Sequence, residues 1–145
     1  MMLSTKGRYG LRLMVSLGQH YGRGLLGVDA LSSLQGISGN YIHLLLPTLR
    51  SCGLVRSVRG REGGYELSRP PEKITLLEII SAVEGSNFLV ECIKHSDLCS
   101  RSAACPTRQV WRKVSAAIEE VLQNMTLQQL LDDSCGNEFP PNYSI

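Results

Sequence analysis

Two short helical segments separated by a tight turn limit the possible folds of this chain more than any other feature. The stretches VDALSSLQ (28–35) and GNYIHLLLPTLRSC (39–52) are each typical of a short helix. Gly36 suits the end of the first helix, and Ser38 is a favourable N-cap residue for the second. Helices joined by about three residues predict a helix-turn-helix. Pro47 predicts a kink in the second helix, because an interior proline removes a backbone hydrogen bond.

A glycine-rich hairpin follows the second helix directly. Residues 54–58 are a short β-prone run, and YELS (65–68) is expected to be the returning strand. The turn between them, RGREGG, contains three glycines and two arginines. A hairpin of this kind behind a helix-turn-helix predicts a winged helix. The expected fold class is therefore mostly α with a small β-hairpin wing.

Further helices are expected on both sides of this unit. A first helix over 4–21 is predicted from residues that recur every four positions: Tyr9, Leu13, Leu17 and Tyr21. The later segments predict a helix over 76–85 with a capping box at its start, a long helix from Pro106 to about residue 125, and a short helix over 127–131.

The long helix carries an apolar stripe spaced by threes and fours: Trp111, Val114, Ile118, Val121 and Met125. A winged helix is a closed unit by itself, so an additional helix with an apolar face needs a partner. We therefore expect this helix to pair with its counterpart in a homodimer, and such twofold pairing suits palindromic DNA. Packing within one subunit is the alternative.

The net charge of +2 conceals an uneven distribution of charged residues. Residues 1–69 carry nine Lys or Arg and three acidic residues, whereas residues 70–145 carry six and ten. A basic front half and an acidic back half indicate that the front half meets a polyanion. Ordinary surface charge is the alternative interpretation.

The sequence argues against several classes of protein. The first apolar stretch, LMVSLG, is too short for a signal peptide, and no run is apolar enough to span a bilayer. We therefore expect a cytoplasmic protein without a membrane partner. The sequence contains no Ser/His/Asp constellation, phosphate-binding loop or dinucleotide fingerprint. Because these patterns are missing, we expect no enzymatic activity, no catalytic residues and no small-molecule substrate.

The start of the second helix is where a helix-turn-helix usually meets base edges. The sequence offers four side chains there: Ser38, Asn40, Tyr41 and His43. Arg50 can reach phosphate, or can simply be solvated. The glycines of the wing allow close backbone approach to a phosphodiester, and Arg59 or Arg61 could enter a minor groove. The alternatives are a solvated histidine at position 43 and a tight, solvated turn at the wing.

Three of the five cysteines lie within residues 86–105, a segment without helical or strand periodicity. Six and five residues separate Cys92, Cys99 and Cys105, a spacing typical of neither zinc sites nor ferredoxins. Clustered thiols in a reducing compartment more often bind metal or sense redox state than form disulfides. The residues alone leave an iron–sulfur cluster, thiol redox chemistry, zinc and no role as alternatives.

The chain resembles the Rrf2 family of bacterial regulators, the group of IscR, NsrR and CymR, to about residue 131. The likeness is carried by LSTKGRYGLR, GISGNYIHLLLPTLRSCGLVRSVRGREGGYELSRPPEKITLLEIISAVEG and CPTRQVW. It implies a homodimer, in which the long helices cross, that binds double-stranded operator DNA through the helix at 39–52 and the wing at 59–64. The residues predicted to contact DNA are Thr5, Lys6, Tyr9, Ser38, Asn40, Tyr41, His43, Arg50, Arg59, Gly60, Arg61, Gly63 and Gly64.

The same resemblance implies that an iron–sulfur cluster, with 2Fe–2S favoured over 4Fe–4S, is held by three metal ligands: Cys92, Cys99 and Cys105. The fourth ligand is not assigned. Some family members use a histidine three residues after the last cysteine, where this chain has Arg108. Others use an acidic residue in the partner's first helix, where this chain has Arg8 and Arg12. Local candidates are Glu91, His95 and Asp97.

The sequence as a whole predicts a homodimeric transcription regulator. Its expected parts are a winged helix-turn-helix domain (1–72) with a connector helix (73–85), a cluster-binding loop (86–105), a dimerisation helix with a short terminal helix (106–131) and a mobile tail (132–145). One alternative is a cluster-free regulator of the same fold that responds through thiols or a partner protein, as in cysteine metabolism. Another is a small redox protein without DNA binding. Cys52 is expected to be packed, and Cys135 to be a tail thiol.

Overall fold

A computed structural model describes residues 3–85 and 89–135 of the chain. Its elements are α1 (Thr5–Gln19), α2 (Val28–Gln35), α3 (Gly39–Ser51), β1 (Val55–Val58), β2 (Gly64–Leu67), α4 (Leu76–Glu84), α5 (Pro106–Asn124) and α6 (Leu127–Ser134). Short 3₁₀ turns occupy Pro71–Lys73, Glu91–Ile93 and Ser96–Leu98. This mostly helical arrangement with a two-stranded wing confirms the predicted fold class. No helix in the described ranges is long and apolar enough to cross a membrane.

Helices α2 and α3 form the helix-turn-helix. One residue at each end of the turn explains where the helices stop and start. Gly36 adopts a φ of 63°, the left-handed conformation that favours glycine at a helix C-terminus. Ser38 caps α3, because its Oγ accepts a hydrogen bond from the backbone N–H of Tyr41 at 3.3 Å. Helix α3 continues through Pro47 to its end at Ser51.

The wing is an antiparallel hairpin that is anchored to the segment between α1 and α2. Leu26 and Tyr65 exchange backbone hydrogen bonds of 2.9 and 2.8 Å, which adds a short bridge beside β2. A Cβ atom at Gly64 would lie 2.7 Å from the carbonyl oxygen of Leu26, so this close approach requires glycine. Gly60 has a φ of 125° in the turn, where other residues would be strained.

Helix α1 lies at the centre of the fold, in contact with α2, α3, α4, α6 and β2. It inserts three fully buried side chains into the core: Leu13, Met14 and Leu17. Two of its glycines let other helices approach closely. A Cβ atom at Gly10 would lie 2.9 Å from a Val83 methyl group, and one at Gly18 would lie 2.9 Å from a Leu131 methyl group.

The chain leaves this core along α5 and returns to it in α6. The N–H of Leu76 donates to the carbonyl of Met125 at 2.9 Å, and the N–H of Leu127 donates to that of Ile74 at 2.8 Å. Leu127 is completely buried, whereas the only buried residue of α5 is Ser115. Helix α6 is therefore part of the core, and α5 lies along the surface of the subunit against α4 and the 3₁₀ turn at Glu91–Ile93.

The C-terminal boundary differs from the predicted one. Helix α6 continues to Ser134 rather than ending at residue 131, and the Oγ of Ser134 donates to the carbonyl of Leu130 at 2.7 Å. A further hydrogen bond of 2.8 Å joins Gln128 to Asp132 within the last turns. Residues 136–145 of the expected tail and residues 86–88 of the expected loop lie outside the described part of the chain.

Replacement of Leu127 by alanine is expected to lower the free energy of unfolding by about 2–5 kcal/mol, because it leaves a cavity in the core. Leu34→Ala is the matched control, since Leu34 lies on α2 and is 63% exposed. Its effect should stay within about 0.5 kcal/mol. Urea unfolding followed by circular dichroism, at one protein concentration, measures both values. Equal losses in the two variants would contradict the packing of α6 into the core.

Candidate DNA-binding surface and cysteine loop

Helix α3 has one buried and one exposed face. The buried face consists of Ile42, Leu45, Leu46 and Leu49. The exposed side, called the outer face below, consists of Asn40, His43, Leu44, Pro47 and Arg50. Residues spaced by three, four and seven positions share one side of a helix. The predicted base-reading residues Asn40 and His43 therefore lie on a single exposed surface, with the exposed cap residue Ser38 at its N-terminal end.

Tyr9 and Tyr41 lie between α1 and α3. Their ring centroids are 5.4 Å apart and their planes meet at 84°, a T-shaped arrangement that favours contact between the two helices. The guanidinium of Arg12 lies 5.5 Å from the Tyr9 ring centroid, and its Nε donates to Gln35 Oε1 at 3.0 Å. Both tyrosines are half-buried, so each combines a packing role with an accessible edge.

The N-terminus of α1 is held by two side chains. The Oγ of Ser4 accepts hydrogen bonds from the backbone N–H groups of Lys6 at 3.1 Å and Gly7 at 3.4 Å. The Oε1 atom of Glu84, the last residue of α4, accepts from the N–H groups of Ser4 at 3.0 Å and Gly7 at 2.9 Å. A carboxylate at this end also interacts favourably with the helix dipole. Thr5 and Lys6 are exposed on the turn that these contacts hold.

The predicted wing residues divide into two groups. Arg59, Gly60 and Arg61 are exposed at the tip, and no hydrogen bond or ion pair within residues 3–85 and 89–135 involves either arginine. Gly63 is half-buried and Gly64 is buried. The tip is thus accessible to a large ligand, whereas Gly64 has a structural role against the backbone of Leu26.

Some basic residues of the front half are engaged inside the fold. Arg56 pairs with Glu66 across the hairpin at 2.8 Å, and Arg69 pairs with Glu78 at 2.5 Å. The Nη1 atom of Arg50 donates to the Oγ of Ser57 at 3.1 Å, which joins the outer face of α3 to β1. The outer face and the wing are therefore neighbouring parts of one surface, while Arg56 and Arg69 contribute less free positive charge than the sequence indicates.

The cysteine loop, residues 89–105, is attached to α5 through Arg108. The Arg108 side chain donates from Nε to the carbonyl of Cys92 at 3.0 Å, from Nη1 to that of Ser102 at 3.3 Å and from Nη2 to that of Ile93 at 3.4 Å. One half-buried guanidinium thus ties both ends of the loop to the first turns of α5. Arg108 thus organises the backbone of the loop.

The three loop thiols differ in their surroundings. Cys92 and Cys105 are half-buried, and Cys99 is exposed. Cys105 is the N-cap residue of α5, and its Sγ lies 3.1 Å from the Oγ1 of Thr107. This hydrogen bond, together with one from the backbone of Arg108, holds the pKa of Cys105 below its ordinary value.

The loop carries suitable donors for iron, although the described residues do not bring them together. Within residues 3–85 and 89–135, no group of three His, Cys, Asp or Glu side chains is arranged to share a metal ion. Three soft thiols on one loop are nevertheless the donor type that iron–sulfur clusters use, so the donor set fits such a group. Of the local fourth-ligand candidates, His95 and Asp97 are exposed.

The two remaining cysteines are both exposed. For Cys52 this corrects the expectation that it is packed. Cys52 is the C-cap residue of α3, and Leu49 and Leu54 occupy the core positions on either side of it. Neither Cys52 nor Cys135 belongs to the loop, so both serve as internal controls for its chemistry.

Helix α5 exposes apolar side chains that nothing else within residues 3–85 and 89–135 covers. Val110 is 54% exposed, Trp111 is 40% exposed and Val121 is 58% exposed. A shallow apolar groove runs along the same helix, lined by Lys113, Val114, Ala117, Ile118, Val121 and Leu122. The predicted apolar stripe is thus split, because Met125 packs against the core while Val121 faces solvent.

Three residues that the structure singles out are not among the predicted site residues: Leu44, Glu84 and Arg108. A helical wheel of α3 would place Leu44 on the same face as Asn40 and Pro47, because residues spaced by three and four positions share one side of a helix. The roles of Glu84 and Arg108 depend on contacts with residues far along the chain or with loop carbonyls. No sequence pattern reports such contacts.

Comparisons with known proteins agree with the winged-helix fold. The model of the family described as "Rrf2: Iron-dependent Transcriptional regulator" matches residues 3–133. IscR of Sodalis glossinidius is 37% identical over 133 residues, which cover 92% of this chain and 80% of that protein.

Two solved structures are similar in fold and in sequence. The structure of T. potens IscR has a TM-score of 0.78 at 37% identity and covers 99% of this chain and 95% of that one. The structure of CymR, the global cysteine regulator of B. subtilis, has a TM-score of 0.75 at 34% identity and covers 92% and 98%. The chain belongs to the Rrf2 family and is a transcriptional regulator of the winged-helix type.

Proposed function

We propose that this regulator acts as a homodimer whose affinity for operator DNA depends on an iron–sulfur cluster held by Cys92, Cys99 and Cys105. The observation that carries the DNA-binding part is the exposed outer face of α3, which Arg50 joins to the wing. A reading helix and a basic wing on one surface match a duplex, because the helix fits the major groove and the wing follows the backbone.

The DNA contacts fall into two classes. Asn40 and His43 stand near the start of α3, where their polar groups can meet base edges in the major groove. Lys6, Arg59 and Arg61 are exposed cations whose charge suits phosphates or a narrow minor groove. The first class would specify sequence, and the second would supply most of the sequence-independent affinity.

The second copy would cover the exposed face of α5. Val110, Trp111 and Val121 present apolar area that a monomer would leave in water. Pairing α5 with α5 of a partner buries this area and places two wings about a twofold axis. A dimer of this kind reads two half-sites related by the same symmetry.

The cysteine loop would supply the response. Its three thiols would hold the cluster, which when bound provides a group that exchanges electrons and can be lost from the loop. Cys105 is the N-cap residue of α5, and Arg108 binds loop carbonyls to the same helix. A change in the loop therefore reaches the proposed dimer helix directly. Regulation requires that operator DNA and the state of the loop favour different conformations of the dimer.

A cluster-free regulator is the second candidate, and Arg108 favours it. Arginine does not ligate iron, and at this position it binds the carbonyls of Cys92 and Ile93. The loop thus has a fixed attachment to α5 that does not depend on a metal. In this candidate the exposed Cys99 thiol, or a partner protein, would provide the signal.

The charge of the wing is tested by Arg59→Ala. About six phosphate contacts per dimer should give the unmodified protein a log–log salt slope of about −5. Loss of one contact per subunit should make this slope shallower by about two. Fluorescence anisotropy with operator duplexes at several salt concentrations measures the slope. Operators are obtained by selection from a random-sequence pool and from the DNA upstream of the regulator's own gene.

Arg112→Ala is the matched control, because Arg112 is exposed on α5 and the charge change is the same. Its slope should equal that of the unmodified protein. His43→Ala should instead keep the slope and relax discrimination at one base pair per half-site by about 1–3 kcal/mol. A salt response that is flat, or equally reduced in all three variants, would contradict the proposed contact classes.

The dimer is tested by Val121→Glu. Val121 is largely exposed in the single subunit, so the substitution should leave the subunit folded, with unchanged circular dichroism. At the proposed interface it buries an unpaired charge, which costs several kcal/mol, on the order of 3–5. Light scattering should therefore report a monomer. Ala116→Glu adds the same charge at an exposed position on another face of α5 and should remain dimeric. A dimeric Val121→Glu protein would exclude this interface.

The loop is tested by single alanine substitutions of Cys92, Cys99 and Cys105. Each should remove bound iron, sulfide and visible absorption from protein purified without oxygen, because a cluster that loses a thiolate ligand becomes labile. Cys52→Ala and Cys135→Ala should retain all three properties. If all five variants retained iron, or if operator affinity were identical with and without the cluster, the proposed control by an iron–sulfur cluster would be excluded. Unmodified protein that binds operator without iron, and that loses affinity when its thiols are oxidised, would support the cluster-free candidate.

A further inference from the structure

Leu44 occupies an unusual position on the outer face of α3. Its side chain is 55% exposed, although the same helix completely buries Ile42, Leu46 and Leu49. The surrounding exposed residues of this face are Asn40, His43, Pro47 and Arg50. A large aliphatic side chain held in water by a helix gains nothing for the stability of the subunit. Leucines are exposed elsewhere on this protein, as at Leu34, so the feature that points to a ligand is the position of Leu44 within the polar outer face of α3.

The position of Leu44 along α3 determines what it can meet. It lies one turn beyond Asn40 and directly beside His43, within the part of the helix that the proposed function places in the major groove. Leucine has no hydrogen-bonding group, so it can recognise only an apolar part of a base edge. The major groove offers one such part, the C5-methyl group of thymine.

We propose that Leu44 is a specificity-determining residue that recognises the methyl group of a thymine in each half-site. This inference rests on the proposed function and deepens it, because it assigns one base of the operator to an apolar contact. The polar neighbours favour DNA over a protein partner as the occupant. Asn40, His43 and Arg50 suit base edges and phosphates, whereas an apolar protein surface would leave them without partners.

The test uses DNA in which single thymidines are replaced by deoxyuridine, which lacks only the methyl group. The full-length protein first selects duplexes from a random-sequence pool, and each thymidine of the preferred duplex is then replaced in turn. At one position per half-site the affinity of the unmodified protein should fall about fourfold. This factor corresponds to roughly 0.8 kcal/mol for one buried carbon group. Anisotropy titrations at fixed salt measure each affinity.

The Leu44→Ala protein completes the experiment. It should bind the thymidine duplex more weakly than the unmodified protein and should no longer distinguish thymidine from deoxyuridine at that position. Leu34→Ala serves as the control, since Leu34 is a 63% exposed leucine on α2 and should retain the discrimination. Because both leucines are exposed, both variants should keep the circular dichroism spectrum and thermal midpoint of the unmodified protein.

The outcomes separate this inference from the proposed function. If the protein binds selected DNA but no thymine methyl contributes, or if Leu44→Ala keeps the full sensitivity to deoxyuridine, the role of Leu44 is overturned and DNA binding stands. If the pool yields no bound duplex at any salt concentration, the proposed function and the role of Leu44 fail together. Loss of the deoxyuridine effect in Leu44→Ala alone supports the contact.

Discussion

The burial of α1 among its neighbours is the constraint on which the other surfaces of this protein depend. Leu13, Met14 and Leu17 are inaccessible to water, and Gly10 and Gly18 allow α4 and α6 to approach the helix axis closely. Helix α3 packs into the same core, so its outer face has a fixed direction. Helix α6 also closes on α1, which leaves α5 at the surface. The proposed DNA-binding and dimer surfaces are therefore both defined by one packed core.

Two side chains hold the elements on either side of the cysteine loop. Glu84 ends α4 shortly before the loop, and its carboxylate holds the first turn of α1, where Lys6 is exposed. Arg108 binds three loop carbonyls to the first turns of α5. Arg108 thus links the loop to the proposed dimer helix, while Glu84 fixes the turn of α1 that carries a proposed phosphate contact. Charge-assisted hydrogen bonds of this kind fix geometry more firmly than neutral ones.

The fold was largely predictable because its main features are local. Gly36 and Ser38 encode the turn between α2 and α3, the glycines at 60, 63 and 64 encode the wing, and Thr75 with Glu78 encodes the start of α4. The end of α6 was less predictable, since the helix continues to Ser134 through polar residues that show no helical apolar spacing. The prediction that Cys52 is packed was wrong, because no sequence pattern distinguishes a packed cysteine from a solvated one at the end of a helix.

The candidate site was predictable in its residue types and less so in their arrangement. Local sequence predicted the winged helix, the arginines of its tip and the three loop thiols, because periodicity, glycine content and spacing are properties of neighbouring residues. Three-dimensional packing was needed to show that Gly64 is buried against Leu26 and that Glu84 holds the first turn of α1. These contacts join segments that are distant in the chain and meet only when the core around α1 has formed.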